Sequence, residues 1–562
     1  MKKILFIAFT GIVILSSACK KLLDEDVRTQ ISNLYLNTPA GIEDGVKGCY
    51  ATLRMYYGSQ SAGWMTVFGT DEYQNGNADA TYANYTANLN AANGTTGGIW
   101  NALYIGINDC NTMIENIPAV TGMTQTLKNI RMGEVRFLRA HYYFLLVQQF
   151  GGLDLRLSST RSASKVASRA PIADVYKAII EDLTFAIANL PATTSDYGRV
   201  TIAPAKHMLA KVYLTRAGST AAVATDYDNA AAIAKDVIAT GGYKLVSDFS
   251  ELWAQPSKPN TETMLACQFS NNIVSEPTVA PASGSNISAW NAANFDFCAG
   301  YEGKPGITRD LANGRPFGHY RPTAYMVNLY NKTADSRFAK TFKTVWLCNA
   351  PNTAATAFTI NGNTGIIMAR GDTCISILDH DITAAQKAKY KYTVLTPSTY
   401  EVGLWPQNKK FEDSLRATVN DSRGIKDFPI YRLGETYLIA AEALTMSGKQ
   451  AEAATYINAL RARSIIQGST PAITAANTAA MQVTAADMNI DFILDERARE
   501  LSGEFMRWTD LVRTGKLLER VQKYNPVATL LIKPYHILRP IPQVQIDRTE
   551  GTSTSFPQNP GY

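Results

Sequence analysis

Two short stretches combine the residue types that hold a neutral polar ligand. Trp64 precedes Asp71, Tyr73 and Asn75, with Tyr82 further on, and Trp290 precedes Asn291, Asp296 and Tyr301. A sugar ring shows C–H patches on its faces and hydroxyls round its edge, so a site for it needs flat aromatic surfaces beside hydrogen-bonding groups. Both stretches supply that combination, and Glu72, Asn294 and Phe295 extend it. These residues form the candidate ligand-binding set, although any one aromatic ring can instead pack beneath its own loop. Trp100, Trp253 and Trp508 stand in helical or recurrent contexts and read as core.

Catalysis is the competing use of such residues. Asp71-Glu72 and Asp379-His380-Asp381 are the carboxylate pairs that could cleave a glycosidic bond, a reaction that needs two carboxyls about 5 to 10 Å apart. Neighbours on an extended segment point to opposite faces, which places Asp71 and Glu72 poorly, whereas Asp379 and Asp381 share a face. The latter two could also help hold a structural calcium ion, but the pattern brings no further oxygen ligands. No Gly-rich phosphate loop, H-E-x-x-H or G-x-S-x-G pattern occurs, and His141 and His207 fall inside helical segments. The reading is binding without catalysis, with no catalytic residue, metal ligand or cofactor implied.

Charged residues are 18% of the 562-residue chain and aromatics 10%, including 28 tyrosines. Such a surface meets neutral ligands. The net charge of +6 carries no long basic block, which excludes the electrostatic footprint of a nucleic-acid binder. Six cysteines, Cys49, Cys110, Cys267, Cys298, Cys348 and Cys374, are scattered without C-x-x-C spacing, so a zinc site is not expected. Buried thiols or a disulfide are both open for them, Cys348 with Cys374 being the first pair to test.

The start of the chain sets the compartment. Residues 1–18 have a basic start, an apolar run and small residues before Cys19, the pattern of a secretory signal followed by a lipidated cysteine. The apolar run is shorter than the roughly 20 residues that span a bilayer. Residues 19–40 read as a lipid-anchored tether and 41–562 as one body. Within that body helical spacing recurs over 41–57, 99–245 and 428–520, including the nearly all-round apolar GEVRFLRAHYYFLLVQQF at 133–150. Two loop-rich excursions, 58–98 and 250–427, interrupt it, and the apolar run 263–269 reads as a strand. The helix pairs resemble tetratricopeptide repeats. A mostly α fold follows: a solenoid of about four pairs with a large irregular insertion holding a few short strands.

Five stretches carry a closer resemblance. GEVRFLRAHYYFLLVQQFGGLDL at 133–155, GRVTIAPAKHMLAKVYLTRAG at 198–218, FPIYRLGETYLIAAEAL at 428–444, ILDERARELSGEFMRWTDLVRTGKL at 493–517, and HILRPIPQVQI through QNPGY at the end are similar to the SusD/RagB family of outer-membrane nutrient-uptake lipoproteins. The resemblance implies an exterior-facing, lipid-anchored scaffold that lids a SusC-like TonB-dependent transporter and captures glycans or other oligomeric nutrients. It implies structural rather than ligand-binding roles for Arg136, Arg139 and Glu496-Arg497. Members differ in ligand, so the motifs leave the nutrient open. A peptide-capture protein, or a scaffold that binds only protein partners, remains the alternative on the same architecture.

Overall fold

The computed structural model describes residues 33–257, 259–270, 272 and 290–562. The signal segment and Cys19 lie outside the described residues. None of the described helices is long and apolar enough to cross a membrane.

Helices begin where side chains can satisfy the free N–H groups of a first turn. Thr38 accepts from the Gly41 N–H at the head of α1 (Pro39–Ala51), and Ser59 accepts from Ala62 at the head of α2 (Gln60–Thr66). Asn93 caps α3 (Gly94–Asn116) and Thr124 caps α4 (Gln125–Phe150) in the same way. Helix α4 ends at Gly151, whose φ of +74° disfavours any L side chain. Then come α5 (Ile172–Asn189), α6 (Ile202–Ala217) and α7 (Asp226–Thr240). Each packs on the one before it, giving a run of sequential neighbours. The 133–150 stretch is buried almost throughout, as an all-round apolar helix must be. Its one buried arginine, Arg139, forks onto Asp182 of α5 at 2.8 and 2.9 Å and reaches Asn111 of α3 at 2.8 Å.

After α7 the chain leaves the solenoid and returns at α8 (Leu433–Met446) and α9 (Gln450–Ala462). Helix α8 packs directly on α7. Ala230, Ala231 and Ala234 of α7 and Ala440, Ala441 and Ala443 of α8 share one core, and such small side chains let two helix axes approach closely. Helices α10 (Ile490–Leu501), α11 (Arg507–Arg513) and α12 (Leu517–Tyr524) complete the set used below.

The fold is mostly helical, and its strands are short. They are β1 (Tyr73–Asn75), β2 (Thr263–Cys267), β3 (Tyr320–Pro322), β4 (Val345–Leu347), β5 (Thr373–Ile377), β6 (Thr393–Leu395) and β7 (Phe428–Arg432), with other pieces of two to four residues. β2 leaves the solenoid, β7 comes back to it, and the two pair antiparallel, so the insertion is stitched at its base. β4, β5 and β6 form a separate three-stranded sheet over Trp346, Ile375 and Leu395. All six described cysteines are buried thiols, Cys348 and Cys374 among them.

Buried charge holds the insertion to the helices. Arg432 at the end of β7 reaches Glu262 at 3.0 Å, Glu500 at 2.7 Å and Glu504 at 2.7 Å. Arg337 of the insertion reaches Glu496 and Glu500 of α10 at 2.9 and 3.0 Å. Glu496 also takes Arg461, and Arg497 takes Asp510 and Glu435, so this motif pair is structural. Removing one member of such a set strands an opposite charge in the interior.

Candidate functional site

The site is built where the two excursions meet. Asn291 Oδ1 accepts the Ala293 N–H and its amide donates to the Lys426 carbonyl at 2.7 Å, turning the chain toward α2. The Ala292 N–H then reaches the Gly58 carbonyl at 2.7 Å, just before α2. On the far side, β1 pairs antiparallel with β3 in the register Tyr73↔Pro322, Gln74↔Arg321, Asn75↔Tyr320. The pairing continues through Gly76 N–H to His319 O and Asn77 N–H to Gly318 O. A Cβ at Gly76 would collide with the Gly318 carbonyl and the Trp405 ring. Segment 290–322 is therefore laced to 58–77 at both ends.

Between these seams lies a polar triad. Gln60 and Trp64 stand one turn apart on α2 and so share a face. Gln60 Nε2 donates to Asp296 Oδ1 at 2.7 Å, and His319 Nδ1 lies 2.8 Å from the same oxygen. Asp296 is fully buried, and its Oδ2 has no hydrogen-bond partner among the described residues. Beside the triad an aromatic group faces outward. Phe317 is 41% exposed and packs tilted on Phe295 at 4.9 Å and edge-on to His319 at 4.5 Å. The Arg315 guanidinium covers the other ring, 5.0 Å from the Phe295 centroid. Trp64, Asn75 and Trp290 are half-buried at the edges. One exposed ring thus stands over a buried carboxylate–histidine pair, with Trp64 and Trp290 half-buried on the bordering segments.

The structure brings Trp64, Asn75, Trp290 and Asp296 to this seam, but it takes the other sequence candidates inside. Tyr73 is fully buried with its hydroxyl against Ser502 Oγ and Asn408 Nδ2, both at 2.8 Å. Tyr82 is buried against Asn93 and Thr96, and burial pushes its phenol up to about 12. Tyr301 is buried and donates to the Gly314 carbonyl at 2.6 Å. Asn291, buried at 3% exposure, serves the turn described above. Their polar groups are satisfied within the protein, which is what lets them be buried.

Asp71 is the sharpest correction. It is fully buried and accepts from Arg507 Nε and Nη2 at 2.7 and 2.6 Å and from Arg520 Nε at 2.8 Å. Burial alone would raise its pKa, but the two guanidiniums overcome that and hold the carboxyl below its ordinary range. Glu72, its neighbour, is ion-paired among the described residues with Arg507 alone, at 3.3 Å, and burial pushes it up to about 8. Both carboxyls fasten the first excursion to α11 and α12 and neither faces solvent. The second carboxylate pair is divided: Asp379 takes Lys332 and His380, and Asp381 takes Ser398. Among the described residues no three metal-ligating side chains gather.

Gln60, Arg315, Phe317 and His319 were not in the sequence-derived set. A run RPFGHY at 315–320 carries three of them, and its ring–glycine–histidine composition is the one signal that could have marked it.

Comparison with known families decides where the chain belongs. The SusD family pattern matches residues 282–562, and a second, described as starch-binding associating with outer membrane, matches residues 23–214. The chain belongs to the SusD family. A SusD-like protein of Formosa agariphila is 22% identical over 99% of both chains. Two solved structures share the fold: a laminarin binding SusD-like protein, at TM-score 0.67 and 24% identity over 93% of this chain and all of that one, and the surface glycan-binding protein A from Bacteroides fluxus, at TM-score 0.64 and 20% identity over 93% and 99%. The SusD scaffold is therefore the observed solenoid, and association with the outer membrane comes with the family description.

Proposed function

We propose that this SusD-family chain is a lipid-anchored, exterior-facing binding protein that captures an oligosaccharide at the α2/β1–β3 seam and passes it to a SusC-like TonB-dependent transporter. The observation that carries the reading is the exposed Phe317 ring set beside Gln60, Asp296 and His319. A sugar can stack on such a ring while its hydroxyls reach the half-buried Gln60 amide and Arg315 guanidinium, which the buried Asp296 and the Phe295 ring hold in place. The laminarin-binding and glycan-binding relatives of the same fold support a saccharide over a peptide. The reading is binding rather than catalysis, since neither sequence-marked carboxylate pair flanks this surface.

A tether replaces free diffusion by a high effective concentration, so the capture site can be weak, about −8 to −4 kcal/mol, and still release its load. The anchor at Cys19 rests on the sequence pattern, and the exterior orientation on the family resemblance. The test is a glycan and peptide array on the purified chain, followed by calorimetry on any hit for the wild type and for Phe317→Ala and Trp290→Ala. A carbohydrate hit weakened in both variants supports the assignment. A peptide hit, or a carbohydrate hit that both variants keep, removes the site assignment while leaving the family intact.

A further inference from the structure

A concavity that shares no residue with the Phe317 surface lies against the outward face of α3. It is a cleft of about 510 Å³, bounded by α3, by the 154–167 loop and by the C-terminal segment 545–549. That volume is within the range of small-ligand sites. Its floor is the half-buried Tyr104 ring, backed from inside by the buried Trp100 at 4.9 Å between ring centroids.

The loop wall is fixed by groups that a ligand need not supply. Tyr104 Oη donates to the Asp154 carbonyl at 3.0 Å, Asn111 Nδ2 donates to the Arg156 and Ser158 carbonyls at 3.0 Å each, and Arg139 Nη1 reaches Leu157 O at 3.2 Å. The Glu550 N–H closes the far edge on the Lys165 carbonyl at 2.7 Å. Such a wall needs little ordering on binding, which favours affinity.

What remains free in the lining is one-sided. Asp154, the one carboxylate that lines the cleft, is taken by Arg156 at 2.7 Å. Of the nearby carboxylates outside the lining, Glu115 is ion-paired to Arg161, Asp547 accepts from the neutral Gln543 amide, and the exposed Glu550 stands beyond the edge that its N–H closes. The Lys165 ammonium, the Arg548 guanidinium and the Asn101 amide line the cleft and make no hydrogen bond or ion pair among the described residues. Asn108 uses its carbonyl on the Thr160 N–H at 2.8 Å, which leaves its NH2 free to donate. Two unpaired cations, free amide donors and an aromatic floor complement one chemistry: a sugar ring that bears a carboxylate or a sulfate. A bare inorganic anion would use the cations and leave the aromatic floor idle.

We propose that this cleft is a second saccharide site, selective for acidic sugars, with Lys165 and Arg548 reading the anionic substituent and Tyr104, Asn101 and Asn108 reading the ring. The proposal holds whichever ligand occupies the Phe317 surface. The test is calorimetry on the detergent-solubilised full chain with trigalacturonate and with a sulfated trisaccharide, using maltotriose as the neutral control and inorganic sulfate as the bare anion. At least one acidic probe should bind, and its affinity should fall steeply with added salt because the recognition is ionic. It should weaken at least tenfold in Lys165→Ala/Arg548→Ala. Both residues are exposed, so this variant folds, and an unchanged melting profile checks that. Silence from both acidic probes overturns the proposal, as does binding that the double variant retains. Sulfate binding as tightly as the acidic saccharides overturns the saccharide part and leaves an anion site.

Discussion

Replacing Asp71 by asparagine should lower folding stability by about 3 kcal/mol and should do so at neutral pH. Breaking a buried charge set by removing one partner costs about 3–5 kcal/mol, because the remaining charge is left in the interior. Here two guanidiniums lose a carboxylate, but not equally. Arg520 keeps Asp491 at 3.1 Å and Asp495 at 2.5 Å. Arg507 keeps only Glu72, at 3.3 Å, and the Leu494 carbonyl. The loss therefore falls chiefly on Arg507, and Glu72 relieves part of it, since Asp71 is one of the charges that hinder Glu72 from ionising. These two considerations place the effect at the lower end of the range. The pH dependence carries the same sign: a carboxyl held below its ordinary range stabilises the fold above that range, and the contribution disappears as pH falls through the folded value. Wild type and variant should therefore converge in strong acid. The assay is urea unfolding followed by tryptophan fluorescence from pH 7 downward, with calorimetry on the ligand in parallel. A loss below about 1 kcal/mol, or a stable variant that has lost its ligand, would refute the structural assignment and return Asp71 to the binding site.

Glu72→Gln should act in the opposite direction. Because burial pushes Glu72 up to about 8, the folded chain holds a proton that the unfolded chain releases above the ordinary carboxylate range. Wild-type stability then declines by about 1.4 kcal/mol per pH unit across that window, and the amide escapes it. The stability advantage of the variant should grow from pH 5 to pH 8; a constant gap would contradict the assignment. Phe317→Ala should weaken oligosaccharide binding about two- to tenfold, the equivalent of about 0.5–1.5 kcal/mol of ring contact, with stability nearly unchanged, as calorimetry and melting together would show. The mature chain denatured without reductant should titrate as six thiols, the six cysteines described here as free; a count of four would place a disulfide, with Cys348–Cys374 the pair to map.

The scaffold was legible because its signals are local. Apolar spacing over α5 and the all-round apolar α4 each declare a helix within a few turns of chain, whereas the seven-residue α2 lay unread within the 58–98 excursion. The candidate surface was only partly marked by composition. Trp64 and Trp290 were read as site residues from composition, and both are partly exposed beside the seam. Tyr73, Tyr82 and Tyr301 were misread because a tyrosine in a polar loop looks the same whether its hydroxyl meets a ligand or Ser502, Asn93 or Gly314. Asp71 was misread because its partners lie 436 and 449 residues away. The Gln60–Asp296–His319 triad escaped for the same reason, since Gln60 is 236 residues from Asp296 and a side-chain pattern of that reach leaves no periodic trace.

The stitching of β2 to β7 and the seating of α8 on α7 make the insertion a cassette between two helices that would otherwise be consecutive. Variation within it can change what is captured while the packing of the solenoid stays as it is. Lengthening such a closed loop adds only about 0.6 kcal/mol of closure entropy for each doubling, so the size of the cassette is loosely constrained. Its ends are not. Glu262 and Arg432, one at each seam, are ion-paired to each other, and Arg337 is locked onto Glu496 and Glu500 of the scaffold. A recombination that exchanged the cassette without these three residues would take Arg337 from Glu496 and both Arg337 and Arg432 from Glu500, leaving these buried acids to the scaffold arginines Arg461, Arg499 and Arg463 alone. Inheritance of a new specificity in this architecture therefore has to carry its own counter-charges with it.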